Sequence, residues 1–121
     1  MPAPFFDSNI IIDWLNRRPQ AKAEIERYPG HRISRIVWTE VLAGETPENR
    51  PAIMDLMAAF EIVELDAVIA SAAAEIRYRS RMKLFDCLIL ATAQINGAIL
   101  ITRNTRDFPA DMPGIRVPYS L

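Results

Sequence analysis

The chain has 121 residues, of which 50% are apolar and 24% are charged, and its net charge of −1 does not by itself indicate a nucleic-acid binder. This length predicts one domain, residues 1–121, whose core needs no disulfide, and the single cysteine fits a reducing cytoplasm. One histidine and one cysteine are too few for a structural zinc site, and without a membrane-spanning run or a secretory signal we expect a cytoplasmic protein with no membrane partner.

Segments typical of strands and of helices alternate along the chain. Apolar runs bounded by turn residues predict strands at residues 3–7, 32–34, 61–65, 98–102 and 115–117. Helix start and stop signals predict helices at residues 9–16, 19–28, 36–43, 47–60, 67–81 and 85–96. The last of these helices is apolar nearly all round, so we expect it to be buried. The alternation predicts an α/β domain with a mainly parallel sheet, whose functional residues gather beyond the carboxyl ends of the strands.

Three carboxylates are each attached to an apolar element, although they lie far apart in sequence. Asp7 ends the first predicted strand, Glu40 falls on the apolar side of the third helix, and Asp86 begins the last helix. Asp7 and Asp86 could simply cap the helices that follow them. Glu40 could pair with Arg32 or Arg35. If the three acids instead meet in one cleft, they raise each other's pKa unless a cation such as Mg²⁺ or Mn²⁺ lies between them.

A basic stretch precedes the last of these acids. Arg77, Arg79 and Arg81 alternate with other residues just before Asp86. Such a stretch can attract RNA even in a slightly acidic protein. It can equally be a solvated helix end whose arginines face the negative end of the helix dipole. The sequence leaves both interpretations open.

Four motifs resemble those of the PIN-domain ribonucleases and, within that family, of the VapC-type toxins of type II toxin–antitoxin systems. They are DSN at residues 7–9, WTEVLAG at 38–44, DCLILATA at 86–93 and LITRNTRDF at 100–108. The motifs occur in the order found in the family and span nearly the whole chain. The resemblance implies a PIN-like three-layer α/β/α sandwich with a mainly parallel central sheet.

The same resemblance implies a set of catalytic acids. Asp7, Glu40 and Asp86 match the acids that hold Mg²⁺ or Mn²⁺ in the family. Some members carry a further Asp where this chain has Asn104, so Asp107 becomes the candidate fourth catalytic acid.

Neighbouring polar residues receive supporting roles from the resemblance. Asn9, Thr102 and Asn104 are expected to orient ligands or water around the acids. Arg103 joins the basic stretch of residues 77–81 as a candidate RNA contact.

The activity implied by the resemblance is metal-dependent cleavage of translation-related RNA, above all tRNA. Such a toxin is expected to be a homodimer and to be neutralised by a small antitoxin that binds across the active-site groove. One alternative is a PIN-like module that binds RNA or antitoxin and has lost catalysis, as Asn104 could indicate. Another is a receiver-like phospho-acceptor domain, although Lys22 and Lys83 do not follow its last strand.

Overall fold

The computed structural model describes residues 2–121, and every predicted strand and helix is present in it. The strands are β1 (Phe5–Phe6), β2 (Arg32–Ser34), β3 (Glu61–Val63), β4 (Leu100–Ile101) and β5 (Ile115–Arg116). The helices are α1 (Ser8–Leu15), α2 (Pro19–Glu26), α3 (Arg35–Ala43), α4 (Arg50–Met57), α5 (Ala67–Arg79) and α6 (Leu84–Ile95). Most elements are shorter than predicted because apolar patterns extend beyond the residues that complete a hydrogen-bond ladder.

The five strands form one sheet in the order β3-β2-β1-β4-β5, and every pair is parallel. The strand order reverses at β1, where Phe5 is in register with both Arg32 of β2 and Leu100 of β4. Right-handed crossovers on the two sides of such a reversal place helices on both faces of the sheet. The structure therefore confirms the α/β class and the three-layer sandwich, and it shows that the sheet is entirely parallel.

The central strands carry the core. Phe5, Phe6, Leu100 and Ile101 are at most 1% exposed, because a parallel sheet covered on both faces buries consecutive side chains. The ring of Phe6 also packs edge-to-face against Phe60, with the ring centroids 5.9 Å apart. The parallel pairing of β1 with β4 places the carboxyl ends of these two buried strands side by side.

Three helices begin at residues whose side chains cap them. Asp7 accepts from the backbone N–H of Ser8 at 2.8 Å, and Ser34 caps α3. Asp66 caps α5, and its side chain accepts from the backbone N–H of Ile69. None of the helices in residues 2–121 combines the length and the apolar composition that a membrane span requires.

Helix α6 differs from its predicted burial. Its middle, from Cys87 to Ala93, is largely buried, and the chain leaves the helix through Gly97 at a φ of +62°. However, Leu84 and Phe85 in its first turn are 53% and 55% exposed. The expectation of a buried helix is thus wrong for the first turn, which borders an open cleft instead of the core, and for Ile95 in the last turn, which is 48% exposed.

Candidate active site

A cleft of about 420 Å³ opens beyond the carboxyl ends of β1 and β4, at the position where the strand order reverses. Its lining residues are Asp7, Ser8, Asn9, Glu40, Lys83, Leu84, Phe85, Asp86, Asn104 and Asp107. The fold thus brings all four predicted catalytic acids together from four separate parts of the chain. Ligand sites of open parallel sheets usually lie at this position.

Asp7 is the most enclosed of the four acids, with 3% of its surface exposed. Burial raises its pKa, whereas hydrogen bonds from Thr102, the Ser8 backbone and Asn9 lower it. Oδ2 accepts from the Thr102 hydroxyl at 2.8 Å and from the Asn9 amide at 3.2 Å. Asp7 is therefore both the cap of α1 and a carboxylate with a fixed orientation at the floor of the cleft.

Glu40 projects from α3 into the same cleft. Burial raises its pKa first, the charge of Asp7 raises it further, and a hydrogen bond from Ser8 opposes the shift. Its Oε1 atom is buried without a hydrogen-bond partner. The predicted alternative of an arginine partner is wrong, since Arg35 pairs with a glutamate after β3 and Arg32 bonds the Ala3 carbonyl at 2.6 Å.

Asp86 occupies the first turn of α6 but does not cap it. The N-cap residue is Lys83, and the Oδ2 atom of Asp86 is buried without a partner. Burial, Asp107 and Asp7 raise the pKa of Asp86 to about 6, and Lys83 works against them. The capping interpretation therefore holds for Asp7 and is wrong for Asp86.

The loop after β4 supports the acids through a chain of hydrogen bonds. Thr102 is fully buried, and its hydroxyl, which donates to Asp7, accepts from the backbone N–H of Asn104 at 3.0 Å. The Asn104 amide donates to Asp107 Oδ2 at 2.8 Å. Phe108 is completely buried and anchors the end of the loop. Asn104 thus holds Asp107 at the edge of the cleft.

Arg103 has a structural partner that the sequence analysis missed. Its guanidinium forms two hydrogen bonds to Asp13, at 2.6 and 2.8 Å, and Tyr119 donates to the same carboxylate at 2.7 Å. Its backbone N–H donates to Asn9 Oδ1 at 3.1 Å. The ion pair holds the loop after β4 against α1. The Arg103 side chain is still 33% exposed, so its contact with RNA stays a prediction.

The predicted basic stretch lies outside the cleft. Arg77 donates to a backbone carbonyl of the following loop, Arg79 pairs with a glutamate one helical turn away, and Arg81 is exposed. None of the three lines the cleft among the residues described here, so their contact with RNA stays a prediction. The cation that does line the cleft is Lys83, which the sequence analysis did not select.

Ser8, Leu84 and Phe85 are the other lining residues that were missed. Each of them lies within two positions of a predicted acid in the sequence, which is the one signal that could have found them.

The donor set of the cleft fits a hard divalent cation that retains part of its water. Within residues 2–121, no three His, Cys, Asp or Glu side chains form a ready-made group for a metal ion. Mg²⁺ usually keeps several waters and takes only one or two protein carboxylates. Glu40 and Asp86 each have one buried carboxylate oxygen without a hydrogen-bond partner. Burying such an oxygen costs free energy unless a hydrogen-bond donor or a cation interacts with it, so these two oxygens fit as ligands of the ion.

The fold and the cleft define an α/β protein with a carboxylate-rich site at the switch point of a parallel sheet. The sequence pattern of the PIN domain matches residues 5–110. The chain belongs to the PIN-domain family.

Two solved structures and one named protein illustrate the relationship. A chain of a toxin–antitoxin complex from Klebsiella pneumoniae is 37% identical, with a TM-score of 0.90 over 98% of this chain and 100% of that chain. VapBC2 from Rickettsia felis, bound to a DNA fragment from its promoter, shares the fold at 22% identity and a TM-score of 0.78, over 93% of this chain and 95% of that one. Ribonuclease VapC35 of Mycobacterium tuberculosis is 28% identical over 93 residues, which are 77% of this chain and 64% of that protein.

Proposed function

We propose that the protein is a divalent-metal-dependent endoribonuclease that acts as the toxin of a toxin–antitoxin pair. The observation that carries this proposal is the convergence of Asp7, Glu40 and Asp86 on one cleft, where two of their oxygens are buried without partners. The names of relatives support it, since one is a ribonuclease and another belongs to a toxin–antitoxin complex. The choice of tRNA-class RNA as substrate rests on the family resemblance.

Each side chain of the cleft has a distinct role in this proposal. Asp7, Glu40 and Asp86 would hold a Mg²⁺ or Mn²⁺ ion, in part through the water that the ion retains, and the ion would lower the pKa of bound water and neutralise charge on the attacked phosphate. Thr102 keeps the Asp7 carboxylate in one orientation through its 2.8 Å hydrogen bond. Asp107 lies close enough to raise the pKa of Asp86, and we assign it as the acceptor of a proton from the attacking water.

We further propose a cytoplasmic homodimer and a small antitoxin that lies across the cleft. The relatives solved as toxin–antitoxin complexes support the antitoxin. The homodimer comes from the family resemblance alone, and the cytoplasmic location from the sequence composition. The receiver-like alternative is dropped because the chain belongs to the PIN-domain family. A catalytically degraded PIN-like module remains the second candidate, because Asn104 provides no charge and is engaged with Asp107.

Cleavage of labelled RNA tests the proposed activity directly. Purified protein is incubated with a single-stranded RNA and with a tRNA pool in Mn²⁺, Mg²⁺ or EDTA, beside Asp86→Asn. Asp55→Asn is the matched control, since it removes the same charge from an exposed position of α4. We expect metal-dependent cutting by the wild type and the control, and a loss of at least about 100-fold in Asp86→Asn.

Two outcomes of this experiment would contradict the proposal. If Asp86→Asn cuts as fast as the wild type, the cleft is not the active site and the activity belongs to a contaminant. If neither substrate class is cut in either metal, the toxin assignment loses its basis and the degraded module is favoured.

A further inference from the structure

The first turn of α6 places an apolar surface at the mouth of the acidic cleft. Phe85 is 55% exposed and Leu84 is 53% exposed, and both line the cleft beside Asp86. Neither residue belongs to the two buried hydrophobic clusters of the described chain. No aromatic pair within residues 2–121 includes the ring of Phe85. The ring therefore contributes little to the core and stays available to a ligand.

A cation accompanies this ring. Lys83 is exposed and lines the same cleft, and it forms no ion pair among residues 2–121. Its charge lowers the pKa of Asp86, which places the ammonium within electrostatic reach of the acids. An aromatic face, a cation and a carboxylate thus lie within four consecutive residues, at the start of one rigid helix.

We propose that Phe85 is a stacking platform for one nucleobase of a single-stranded RNA and that Lys83 contacts an adjacent phosphate. This inference rests on the proposed function and names the part of the site that receives the substrate. Unpaired RNA bases stack on exposed aromatic rings, and neighbouring cations follow the backbone phosphates. Because Phe85 directly precedes Asp86, a base stacked on the ring lies next to the phosphate that faces the acids.

The pattern of exposure along α6 favours RNA as the ligand of this surface when the proposed antitoxin is not bound. Ile95, at the other end of the helix, is 48% exposed but does not line the cleft. Along α6, only the exposed apolar residues of the first turn, Leu84 and Phe85, line the cleft beside both Lys83 and the carboxylates. A partner protein that bound the first turn only through its apolar surface would not need a cation and carboxylates next to that surface.

Binding of strands with and without bases tests the proposal. Fluorescence anisotropy measures the affinity of a short labelled single-stranded RNA and of an abasic strand of equal length and charge. The Asp86→Asn background in Mg²⁺ is used because intact strands are needed. The variants added to it are Phe85→Ala, Phe85→Leu and Phe85→Trp, with Ile95→Ala as the matched control at the far end of the helix.

The expected result depends on the bases. Phe85→Ala and Phe85→Leu weaken binding of the RNA by roughly 5- to 150-fold, whereas Phe85→Trp retains it and Ile95→Ala leaves it unchanged. Binding of the abasic strand does not change in any variant. Tryptophan fluorescence of Phe85→Trp is quenched by the RNA and not by the abasic strand.

Other results would overturn the proposal. An equal loss of affinity for both strands would assign Phe85 to general binding of the RNA backbone. No loss of affinity for either strand would mean that RNA does not contact the ring. A change of oligomeric state in Phe85→Ala, measured by light scattering, would assign the ring to a subunit interface. If Phe85 variants lose binding only of the strand with bases, but the wild type cuts no RNA, the proposed activity is refuted and this inference stands. If the wild type cuts RNA, but the Phe85 variants bind both strands as well as the parent does, only this inference is refuted.

Discussion

At the residue scale, the cleft depends on how each carboxylate is held. The Thr102 hydroxyl donates to Asp7 at 2.8 Å while it accepts from the backbone of the next loop. Thr102→Val keeps the shape of the side chain and removes the hydroxyl. We expect activity to fall about 10- to 100-fold, as for other residues that orient a metal ligand, and the unfolding free energy to fall by about 1–2 kcal/mol.

Cleavage rates and urea unfolding check this prediction. Thr105→Val is the matched control, since Thr105 belongs to the same loop and is exposed. If Thr102→Val loses stability but cuts RNA at the wild-type rate, the hydroxyl is structural and does not orient Asp7 for the reaction.

The raised pKa of Asp86 makes the stability of the metal-free protein depend on pH. This pKa is about 6 in the folded protein, raised from 3.8 by burial, Asp107 and Asp7. The fold therefore favours the protonated acid, so the contribution of Asp86 to the stability of the metal-free protein is fully present below its ordinary pKa and is lost as the pH rises through about 6. Asp86→Asn removes the charge and should raise the unfolding free energy at pH 8 by about 1 kcal/mol, since solvent screens part of the effect.

Urea unfolding in EDTA at pH 5 and at pH 8 measures this difference. The gain from Asp86→Asn should shrink at pH 5, where the wild-type carboxyl is largely protonated. A gain of equal size at both pH values would mean that the charge of Asp86 does not destabilise the fold. The exposed control, Asp55→Asn, should give no gain in unfolding free energy at either pH.

At the scale of elements, an ion pair connects α1 to the loop after β4. Arg103 donates twice to Asp13, and these bonds lower the pKa of that carboxyl against the effect of burial. A lowered pKa stabilises the fold above the ordinary pKa, and this contribution is lost as the pH falls below about 4. Asp13→Asn should therefore cost about 2 kcal/mol at pH 7, and the cost should become smaller in acid.

Unfolding curves from pH 7 to pH 2 for the wild type, Asp13→Asn, Arg103→Gln and the double variant form a double-mutant cycle. Additive effects in this cycle would show that the pair contributes nothing to the connection. We expect coupling, because the guanidinium donates two hydrogen bonds to one carboxylate, at 2.6 and 2.8 Å.

The elements themselves were predictable because their signals are local. Phe5 and Phe6 form part of a continuous apolar run, and Asp66 has the position of a helix cap, so the strand and the helix could be found from a few neighbouring residues. The Asp13–Arg103 pair spans 90 positions, and only the folded topology brings its partners together. The exposure of Phe85 was missed for the same reason, since hydropathy does not show which end of a helix borders a cleft.

The acids of the site could be predicted for a different reason. Parallel strands place their carboxyl ends at one edge of the sheet, so the fold class predicts that Asp7 and the loop after β4 lie at the same edge. The pairing of β1 with β4 makes them neighbours there. The proximity of Asp86 to Asp107 needed the three-dimensional arrangement, because nothing in the sequence fixes how the first turn of α6 meets that loop.

At the scale of the whole molecule, the weak net charge of −1 conceals a local concentration of negative charge. Four carboxylates face one cleft, and the pKa values of Asp7, Glu40 and Asp86 are all raised. A ligand that binds only the folded state raises the unfolding free energy of the whole protein. The increase grows with the ratio of the ligand concentration to its Kd. Millimolar Mn²⁺ should therefore raise the thermal midpoint by about 5 °C or more.

This measurement separates the enzyme from the degraded module without any RNA. The shift should be strongly reduced in Asp86→Asn and complete in Asp55→Asn, which excludes binding to scattered surface carboxylates. If Mn²⁺ leaves the midpoint of the wild type unchanged, the cleft does not hold a divalent cation at these concentrations. In that case the raised pKa values would report only the cost of burying acids, and the protein would be better described as a PIN-like binding module.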